Sequence, residues 1–305
     1  MNLITQLREQ LTAVLPPFAL LQEEPLSKHT SFRIGGPAEL MVVPRRKEEL
    51  AFVLQKTHAL GIRPRILGAG TNILAPDEGV RGCVICLRDT FMGVELLDET
   101  HIRAMAGMSL AKTALFAAQD NLSGLEFAHG IPGTVGGGIY MNAGAYGGEL
   151  KDVAVSTEFM HPNGEIEHFE GAAQGFGYRT SAFQAMDGVI VSATFALQPG
   201  TEAEIRAQIQ ALNEKRRASQ PLDKPSAGST FKRPKEGYAA KLIEDAGLKG
   251  FAVGGACVSE KHAGFVVNNG GATAADVLSL IEQIRQRVLA SSGILLEPEV
   301  RLWQA

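Results

Sequence analysis

The chain has 305 residues, of which 45% are hydrophobic and 20% are charged, and its formal net charge is -4. This balance is typical of a globular protein and excludes a disordered one, and it offers no basic surface for nucleic acid. No apolar run approaches the roughly 20 residues of a membrane-spanning helix. We therefore expect a cytoplasmic enzyme with neither a nucleic-acid nor a membrane partner.

The first seventy residues alternate between helix and strand. The opening residues predict an amphipathic helix rather than a signal peptide, with an apolar face made of Leu3, Leu7, Leu11 and Val14. A strand over Glu39–Pro44, a helix over Lys47–Leu60 that Gly61 closes, and a short strand at RPRILG follow. This order predicts a small α/β unit.

Strands dominate the next hundred residues. Three apolar runs, GCVICL, VELLD and HIRAMAG, follow in quick succession, and Ser109 is a predicted N-cap for a helix that runs to about Gln119. The turn Pro162-Asn163-Gly164 separates the strands Val153–Met160 and Glu165–Phe169, which predicts a hairpin. This region is typical of an α+β domain.

The last third predicts two helices and a terminal strand. A strand over Gly188–Leu197 leads to Pro199-Gly200, a predicted boundary, and a helix carrying Ile205 and Ile209 follows. Thr273 and Asp276 form a capping-box pattern at the start of a long helix that Gly293 ends. The closing segment ILLEPEVRLW has the pattern of a strand.

The three cysteines do not indicate a metal site. Cys83 and Cys86 are spaced like half of a zinc knuckle, but only Cys257 remains elsewhere. Both lie in an apolar run, so we expect buried, reduced thiols and no bound metal.

The segment Ile131–Gly147, IPGTVGGGIYMNAGAYG, is unusually rich in glycine. Gly136, Gly137 and Gly138 remove every Cβ from one short arc. Bare backbone with clustered N–H groups suits phosphate or another anion, which predicts a ligand cradle. The alternative is an ordinary loop that turns tightly against the core.

A second glycine-rich segment, LGAGTNIL, follows the predicted strand at RPRILG. Gly68 and Gly70 resemble the start of a dinucleotide fingerprint, but the third glycine and the following helix are absent, which argues against a Rossmann site. Two such loops would suit a ligand with a pyrophosphate, such as FAD.

Three further segments carry candidate chemistry. In YRTSAF, Arg179 is either a carboxylate clamp or a surface arginine. In SAGSTFKRP, a turn-forming role is the favoured interpretation for Ser229, because the Gly-x-Ser-x-Gly pattern of a serine nucleophile is missing. In LEPEVRLW, alternation puts Glu297, Glu299 and Arg301 on one face, which is either solvated or turned into a cleft.

These segments, in this order, resemble the UDP-N-acetylenolpyruvoylglucosamine reductase family. The resemblance also includes HTSFRIGGPAEL, GLEFAHG and GLKGFAVGGACVSEKHAGFVVNNGGATAADV, and it covers nearly the whole chain. The short spacing between YRTSAF and SAGSTFKRP is similar to the shorter class of the family, which lacks an inserted substrate-covering segment. The chain departs from the family at His129, where a small residue is frequent.

The resemblance implies an α+β fold with two FAD-binding subdomains of the vanillyl-alcohol-oxidase type, 1–75 and 76–200, and a substrate domain, 201–305, whose last strand could return to the first subdomain. It implies NADPH-dependent, FAD-mediated reduction of UDP-N-acetylenolpyruvoylglucosamine to UDP-N-acetylmuramate. This is a step of peptidoglycan precursor synthesis, and hence of cell wall biogenesis, cell shape and cell division. We expect a monomer.

The family's catalytic positions match Arg179, Ser229 and Glu299. The resemblance implies that Arg179 stabilises negative charge on the enolpyruvyl group, that a protonated Glu299 donates a hydrogen bond to its carboxylate, and that Ser229 gives a proton to carbon 2.

The remaining assignments are cofactor and substrate contacts. For FAD the resemblance points to Arg33, Gly68, Gly70, Thr71, Asn72, Gly136, Gly137, Asn142 and Ala145. For the UDP-sugar it points to Lys232, Tyr238 and Lys249.

Two other functions stay open from the sequence. One is another FAD-dependent oxidoreductase of the same superfamily, such as an oxidase of a small alcohol. The other is a non-catalytic nucleotide-sugar binding protein, against which the presence of Arg179, Ser229 and Glu299 argues.

Overall fold

The computed structural model describes residues 2–305. Its helices are α1 (Leu3–Leu11), α2 (Lys47–Ala59), α3 (Leu110–Gln119), α4 (Glu126–His129), α5 (Val135–Met141), α6 (Glu202–Ser219), α7 (Ala239–Asp245) and α8 (Ala274–Ser292). Its first strands are β1 (Leu20–Pro25), β2 (Pro37–Val42), β3 (Arg65–Leu67), β4 (Ile73–Leu74), β5 (Val80–Cys86), β6 (Val94–Leu96), β7 (His101–Met105), β8 (Leu122–Ser123) and β9 (Gly144–Ala145). The others are β10 (Gly148–Glu149), β11 (Ala154–Met160), β12 (Ile166–Glu170), β13 (Val189–Ala196), β14 (Gln198–Pro199), β15 (Ala252–Val253), β16 (Ala256–Val258), β17 (Val266–Asn268) and β18 (Arg301–Leu302).

The chain folds as two compact units. The first contains the residues up to Glu23, Glu39–Ala69 and Gly82–Glu214, and the second contains Glu24–Ala38, Gly70–Arg81 and Lys215–Ala305. Two short segments from the first third of the chain thus belong with the C-terminal residues. The three-part division into 1–75, 76–200 and 201–305 differs from this partition and stays a prediction.

The first unit is built around a five-stranded sheet with the strand order β12-β11-β13-β7-β6, in which all neighbours are antiparallel. Apolar residues of β11, β13 and β7 point into one core, where Phe159 stacks on Phe183 with ring centroids 5.6 Å apart. Helix α5 packs against β13. The glycine-rich segment is thereby fixed to the centre of this sheet.

A four-stranded sheet has the order β1-β2-β5-β3, and β3 runs parallel to β5 with Leu67 opposite Cys86. Cys83 and Cys86 are buried in β5 and form no disulfide. Strand β3 ends immediately before Gly68. The strand therefore sets the position of Gly68 at the start of the LGAGTNIL segment.

The second unit has its own core, formed around α7, α8 and the three-stranded sheet β15-β16-β17. Helix α8 begins with the predicted capping box, in which Thr273 accepts from the Asp276 N–H and Asp276 accepts from the Thr273 N–H. The Asp77 carboxylate accepts two more N–H groups of this first turn, at 2.7 and 3.0 Å. The last strand, β18, pairs in parallel with β4.

Most predicted elements are present with small changes in length. Helix α2, the Ser109 cap of α3, the β11–β12 hairpin and the Gly293 end of α8 are confirmed. Helix α1 is amphipathic as predicted and buries Leu7 and Leu11, but it ends at Leu11, and Leu3 and Val14 are exposed whereas Ile4 is buried. The predicted C-terminal strand shrinks to the two residues of β18.

Candidate active site

Arg179 lies in a tight turn of the first unit. Gly177 and Thr180 close the turn by a backbone bridge, and Arg179 between them has a φ of +55°. This left-handed conformation is uncommon for a residue other than glycine, and it concentrates at functional sites. The Arg179 Nη2 donates to the Gly144 carbonyl at 3.3 Å, and the guanidinium lies over the Tyr178 ring, 5.2 Å from its centroid.

The triple-glycine arc lies in the first turn of helix α5, where neither the predicted ligand cradle nor the alternative loop had placed a helix. Thr134 caps this helix, and its hydroxyl accepts from the Gly137 N–H at 3.3 Å. The Gly136 N–H donates to the Ala106 carbonyl and the Gly138 N–H to the Thr134 carbonyl. Because these N–H groups already have partners, they do not form the free anion cradle that the glycines suggested.

The three glycines are required for different reasons. A Cβ on Gly136 would lie 2.9 Å from the Ala106 Cβ, and one on Gly138 would lie 2.7 Å from the Leu150 Cδ1, so both positions are filled by the core. Gly137 is exposed, and only the Thr134 Oγ1 comes within 4 Å of its added Cβ. Gly137 is therefore the member of the arc that offers open backbone to a ligand.

The two predicted glycine segments meet at Thr134. A Cβ on Gly68 would lie 2.5 Å from the Thr134 Oγ1, the same atom that caps α5. Gly68 thus packs closely against the buried Thr134 side chain, next to the exposed Gly137. This juxtaposition agrees with the expectation of one ligand that touches both segments.

Gly70 has a different role from Gly68. It has a φ of +62°, and a Cβ there would lie 2.1 Å from the His29 carbonyl oxygen. Close backbone packing thus accounts for this glycine without a ligand. The following Asn72 donates from Nδ2 to the Glu299 carbonyl at 3.2 Å, and its own carbonyl accepts from the Arg301 N–H.

Ser229 and Glu299 lie on two neighbouring segments of the second unit. Thr230 joins the two segments, because its carbonyl accepts from the Glu299 N–H at 2.8 Å. Phe231 and Pro298 form a backbone bridge one residue further along. Ser229 is exposed and Glu299 half-buried, and the position after Gly228, which has a φ of +75°, leaves Ser229 at the end of a loop.

Thr230 is a residue that sequence reasoning missed. It is fully buried, its N–H donates to the Gly264 carbonyl, and its hydroxyl accepts from the Val266 N–H at 2.9 Å. Three parts of the second unit therefore meet at this threonine. The position of Thr230 between polar Ser229 and apolar Phe231 was the one indication in the sequence that it is buried. The sequence did not show which groups it bonds to.

The predicted substrate contacts lie in the second unit and already pair with other side chains. The Lys232 Nζ lies 2.5 Å from a Glu297 carboxylate oxygen, and the Lys249 Nζ lies 2.8 Å from Glu244. Tyr238 is 61% exposed, and the Arg233 guanidinium stacks over its ring at 4.1 Å. An anionic substrate would compete with Glu297 and Glu244 for the two lysines.

The remaining predicted positions are partly explained. Arg33 is exposed, with a φ of +56°, and Ala145 is half-buried in β9. Asn142 is fully buried, which leaves its side chain no surface for a cofactor in this structure. At the family departure, His129 ends α4 and shares a hydrogen bond with Asn213, and Gly130 has an ordinary right-handed conformation.

Residues 2–305 contain neither a metal-binding cluster nor a membrane-spanning helix. No three His, Cys, Asp or Glu side chains come together as a metal-binding group. No helix is both long and apolar enough to cross a bilayer.

The family comparisons cover both units. Residues 38–170 match a model described as FAD binding domain, and residues 220–303 match one described as UDP-N-acetylenolpyruvoylglucosamine reductase, C-terminal domain. A UDP-N-acetylenolpyruvoylglucosamine reductase of Lachnoclostridium phytofermentans is 48% identical over 92% of this chain and 91% of its own length.

Solved structures agree with this result. The UDP-N-acetylenolpyruvylglucosamine reductase of Thermus caldophilus superposes with a TM-score of 0.81 at 34% identity, covering 93% of this chain and all of that one. Phl p 4.0202, a glucose dehydrogenase, matches 70% of this chain and 50% of its own with a TM-score of 0.50 at 13% identity, which is a likeness of fold alone. The predicted α+β fold is confirmed, and the chain belongs to the UDP-N-acetylenolpyruvoylglucosamine reductase family.

Proposed function

We propose that this chain reduces UDP-N-acetylenolpyruvoylglucosamine to UDP-N-acetylmuramate, with FAD as cofactor and NADPH as the source of reducing equivalents. The observation that carries the proposal is the near full-length similarity to reductases of this name. The joined segments that bear Ser229 and Glu299 support the same activity from the structure.

The first unit has backbone that fits a large cofactor. Gly137 is exposed, and it lies beside buried Thr134, against which Gly68 packs. A flat or extended group can approach such a surface more closely than one covered by side chains. FAD bound there would supply to carbon 3 of the enolpyruvyl group the hydride that originates in NADPH.

The cofactor contacts are proposed residue by residue. We assign direct backbone contacts to Gly68 and Gly137, and we retain Arg33, Gly70, Thr71, Asn72, Gly136 and Ala145 as residues that line or shape the site. We assign Asn142 to support of the site, because its side chain is buried.

Ser229 supplies the proton that completes the product. Hydride addition at carbon 3 leaves an electron pair at carbon 2, and the Ser229 Oγ–H bond breaks as the new carbon–hydrogen bond forms there. A serine hydroxyl is a weak acid, so the step requires a strongly basic carbon and stabilisation of the developing charge. The exposed position of Ser229 at the end of a loop suits such contact with a substrate.

Arg179 and Glu299 stabilise the charge that develops on the substrate carboxylate. Arg179 provides a fixed cation with two parallel N–H donors. A protonated Glu299 donates one hydrogen bond to the same carboxylate. Lys232, Lys249 and Tyr238 hold the rest of the substrate, and the two lysines exchange their carboxylate partners for the diphosphate or nucleotide.

The proposed setting of the enzyme is the cytoplasm, where it acts as a monomer in peptidoglycan precursor synthesis. Light scattering at working concentration tests the monomer, and a mass of twice 32.5 kDa would contradict it.

The proposed activity is tested by NADPH consumption with and without UDP-N-acetylenolpyruvoylglucosamine. We expect consumption that depends on the substrate and yields UDP-N-acetylmuramate. A purified protein that is colourless and takes up no added FAD would overturn the proposal.

The role of Ser229 is tested by Ser229→Ala in stopped-flow measurements of flavin absorbance. We expect nearly normal reduction by NADPH and a second half-reaction slowed by about 10²–10⁴, the usual contribution of a positioned general acid. Ser226→Ala, in the same loop, is the matched control. Equal slowing of both half-reactions would refute Ser229 as the proton donor.

A further inference from the structure

Arg179 is held by its own turn and by the residues that surround it. The Arg179 carbonyl accepts from the Gln184 Nε2 at 3.1 Å, and the guanidinium reaches the Gly144 carbonyl. Since its φ is positive, the turn stores backbone strain that the neighbouring structure must offset. The groups that fix this turn therefore decide where the guanidinium points.

Asn142 connects three segments at this place. It ends helix α5 with a φ of +42°, and its side chain is completely buried. The Nδ2 donates to the Gly177 carbonyl at 2.9 Å and to the Glu149 Oε2 at 3.1 Å, while the Oδ1 accepts from the Lys151 N–H at 2.9 Å. One amide thus ties the Arg179 turn to α5 and to strand β10.

Glu149 brings a negative charge into the same cluster. It pairs with Gly144 in the β9–β10 hairpin, so it lies opposite the residue whose carbonyl accepts from Arg179. Hydrogen bonding from Lys151, then the charge of Lys151, the Asn142 amide and the Arg179 charge hold the pKa of Glu149 below its ordinary value despite partial burial. Glu149 is therefore ionised at neutral pH.

The hairpin that carries Glu149 is itself well defined. Tyr146 and Gly147 form its two-residue loop, and both have positive φ values, as a type I′ turn requires. A Cβ on Gly144 would lie 2.7 Å from the Glu149 Cγ, so the two strands are in close contact. The carboxylate consequently has a fixed position relative to Gly144.

We propose that Asn142 and Glu149 are positioning residues for Arg179. The Asn142 amide fixes the Gly177 carbonyl at the base of the turn, and the Glu149 carboxylate sets the electrostatic environment of the guanidinium. This inference rests on the proposed function, because it assigns the pair a part in the reduction that Arg179 assists. Neither residue needs to contact the substrate.

The expected magnitude follows from the geometry of catalysis. A displacement of a catalytic group by about 1 Å costs about 10²-fold in rate. Such a loss falls on the half-reaction in which Arg179 stabilises charge. A general loss of structure would instead slow both half-reactions and lower the melting temperature.

Asn142→Gly is the test variant, because glycine accepts the left-handed backbone and removes only the amide. Asn121→Gly is the matched control, since Asn121 also has a positive φ after a helix, of 57°, and bonds to none of the residues around Arg179. We expect the second half-reaction of Asn142→Gly to slow about 10²-fold more than flavin reduction by NADPH. Equal slowing of both would overturn the proposal.

A double-mutant comparison asks whether Asn142 acts through Arg179. In an Arg179→Ala background we expect Asn142→Gly to cause no further slowing of the second half-reaction, because the group that it positions is gone. A full additional loss would overturn the proposal. Glu149→Asp, which keeps the charge, should retain more of this rate than Glu149→Gln.

A chemical readout separates this inference from the proposed function. Phenylglyoxal labels arginine side chains, and mass spectrometry reports the rate at Arg179 in the purified protein without substrate. We expect that rate to rise several-fold in Asn142→Gly and not in Asn121→Gly. An unchanged rate would overturn the positioning role whatever the enzyme reduces, whereas a raised rate in a protein without reductase activity would overturn only the proposed function.

Discussion

Arg179 and Asn142 both have a left-handed backbone conformation, which determines the direction of each side chain. Both are non-glycine residues with positive φ, and they are joined through the Gly177 carbonyl. The residue types were readable from the sequence, and a resemblance pointed to both positions. Their conformations were not readable, because a positive φ at arginine is imposed by tertiary contacts against its local preference.

The Cys83 side chain in strand β5 is completely buried. Burial raises the pKa of Cys83 to about 12, and it also raises the pKa of Cys86. Because the thiolate is the reactive form, we expect iodoacetamide at pH 8 to modify only Cys257 in the folded protein and all three thiols after unfolding. Mass spectrometry gives the count.

The control for this labelling is Cys257→Ser, which should leave the folded protein unmodified. Modification of Cys83 before unfolding would contradict the burial of strand β5. It would also reopen the question of a reactive pair at Cys83 and Cys86.

Helix α5 could not be recognised from its amino-acid composition. Three consecutive glycines have low helix propensity, and the sequence predicted no helix over them. The Thr134 cap and packing against β13 and Ala106 overcome that preference. Close packing accounts for Gly136 and Gly138, whereas Gly137 is exposed.

Alanine substitutions in α5 separate these two reasons. Gly136→Ala should destabilise the protein by about 1–3 kcal/mol, because the added Cβ meets Ala106 in a filled core. Gly137→Ala should stabilise the cofactor-free protein by about 0.5–1 kcal/mol through helix propensity. Denaturant unfolding of the cofactor-free protein measures both values.

FAD titration completes the comparison. We expect Gly137→Ala to weaken FAD binding, since its methyl group would stand between the cofactor and the backbone. Normal affinity in Gly137→Ala would show that the cofactor does not lie against this helix.

The whole molecule is organised so that candidate chemistry is divided between two units with separate cores. The first unit carries Arg179 and the glycine surface around Thr134. The second carries Ser229, Glu299 and the two lysines. The order of these residues along the chain does not reveal that division, because the segments 24–38 and 70–81 belong to the second unit.

Acid precipitation tests whether the whole protein binds its flavin covalently or non-covalently. We expect acid precipitation of the yellow protein to leave all the flavin in the supernatant. None of the residues proposed for the cofactor site is a cysteine or a histidine, and the Cys83 and Cys86 thiols are buried. A yellow pellet would indicate a covalent bond, as in many oxidases of the same superfamily. It would favour the alternative that the chain is such an oxidase.

Local signals determined much of the fold from the sequence alone. The capping box at Thr273, the Ser109 cap, the β11–β12 hairpin turn and the Gly61 end of α2 each depend on residues close together in the sequence. Because such signals act over one or two turns, they predict local structure without information from the rest of the chain. The ordered motifs likewise determined the family.

Only the tertiary structure decided what the individual glycines, Asn142 and Thr230 do. Gly70 packs on His29, Gly136 on Ala106, and Gly68 faces Thr134, all across tens of residues of sequence. Asn142 and Thr230 are buried polar groups whose partners come from distant segments. A side chain's type constrains which bonds it can make, but the fold decides which groups lie within 3 Å of it.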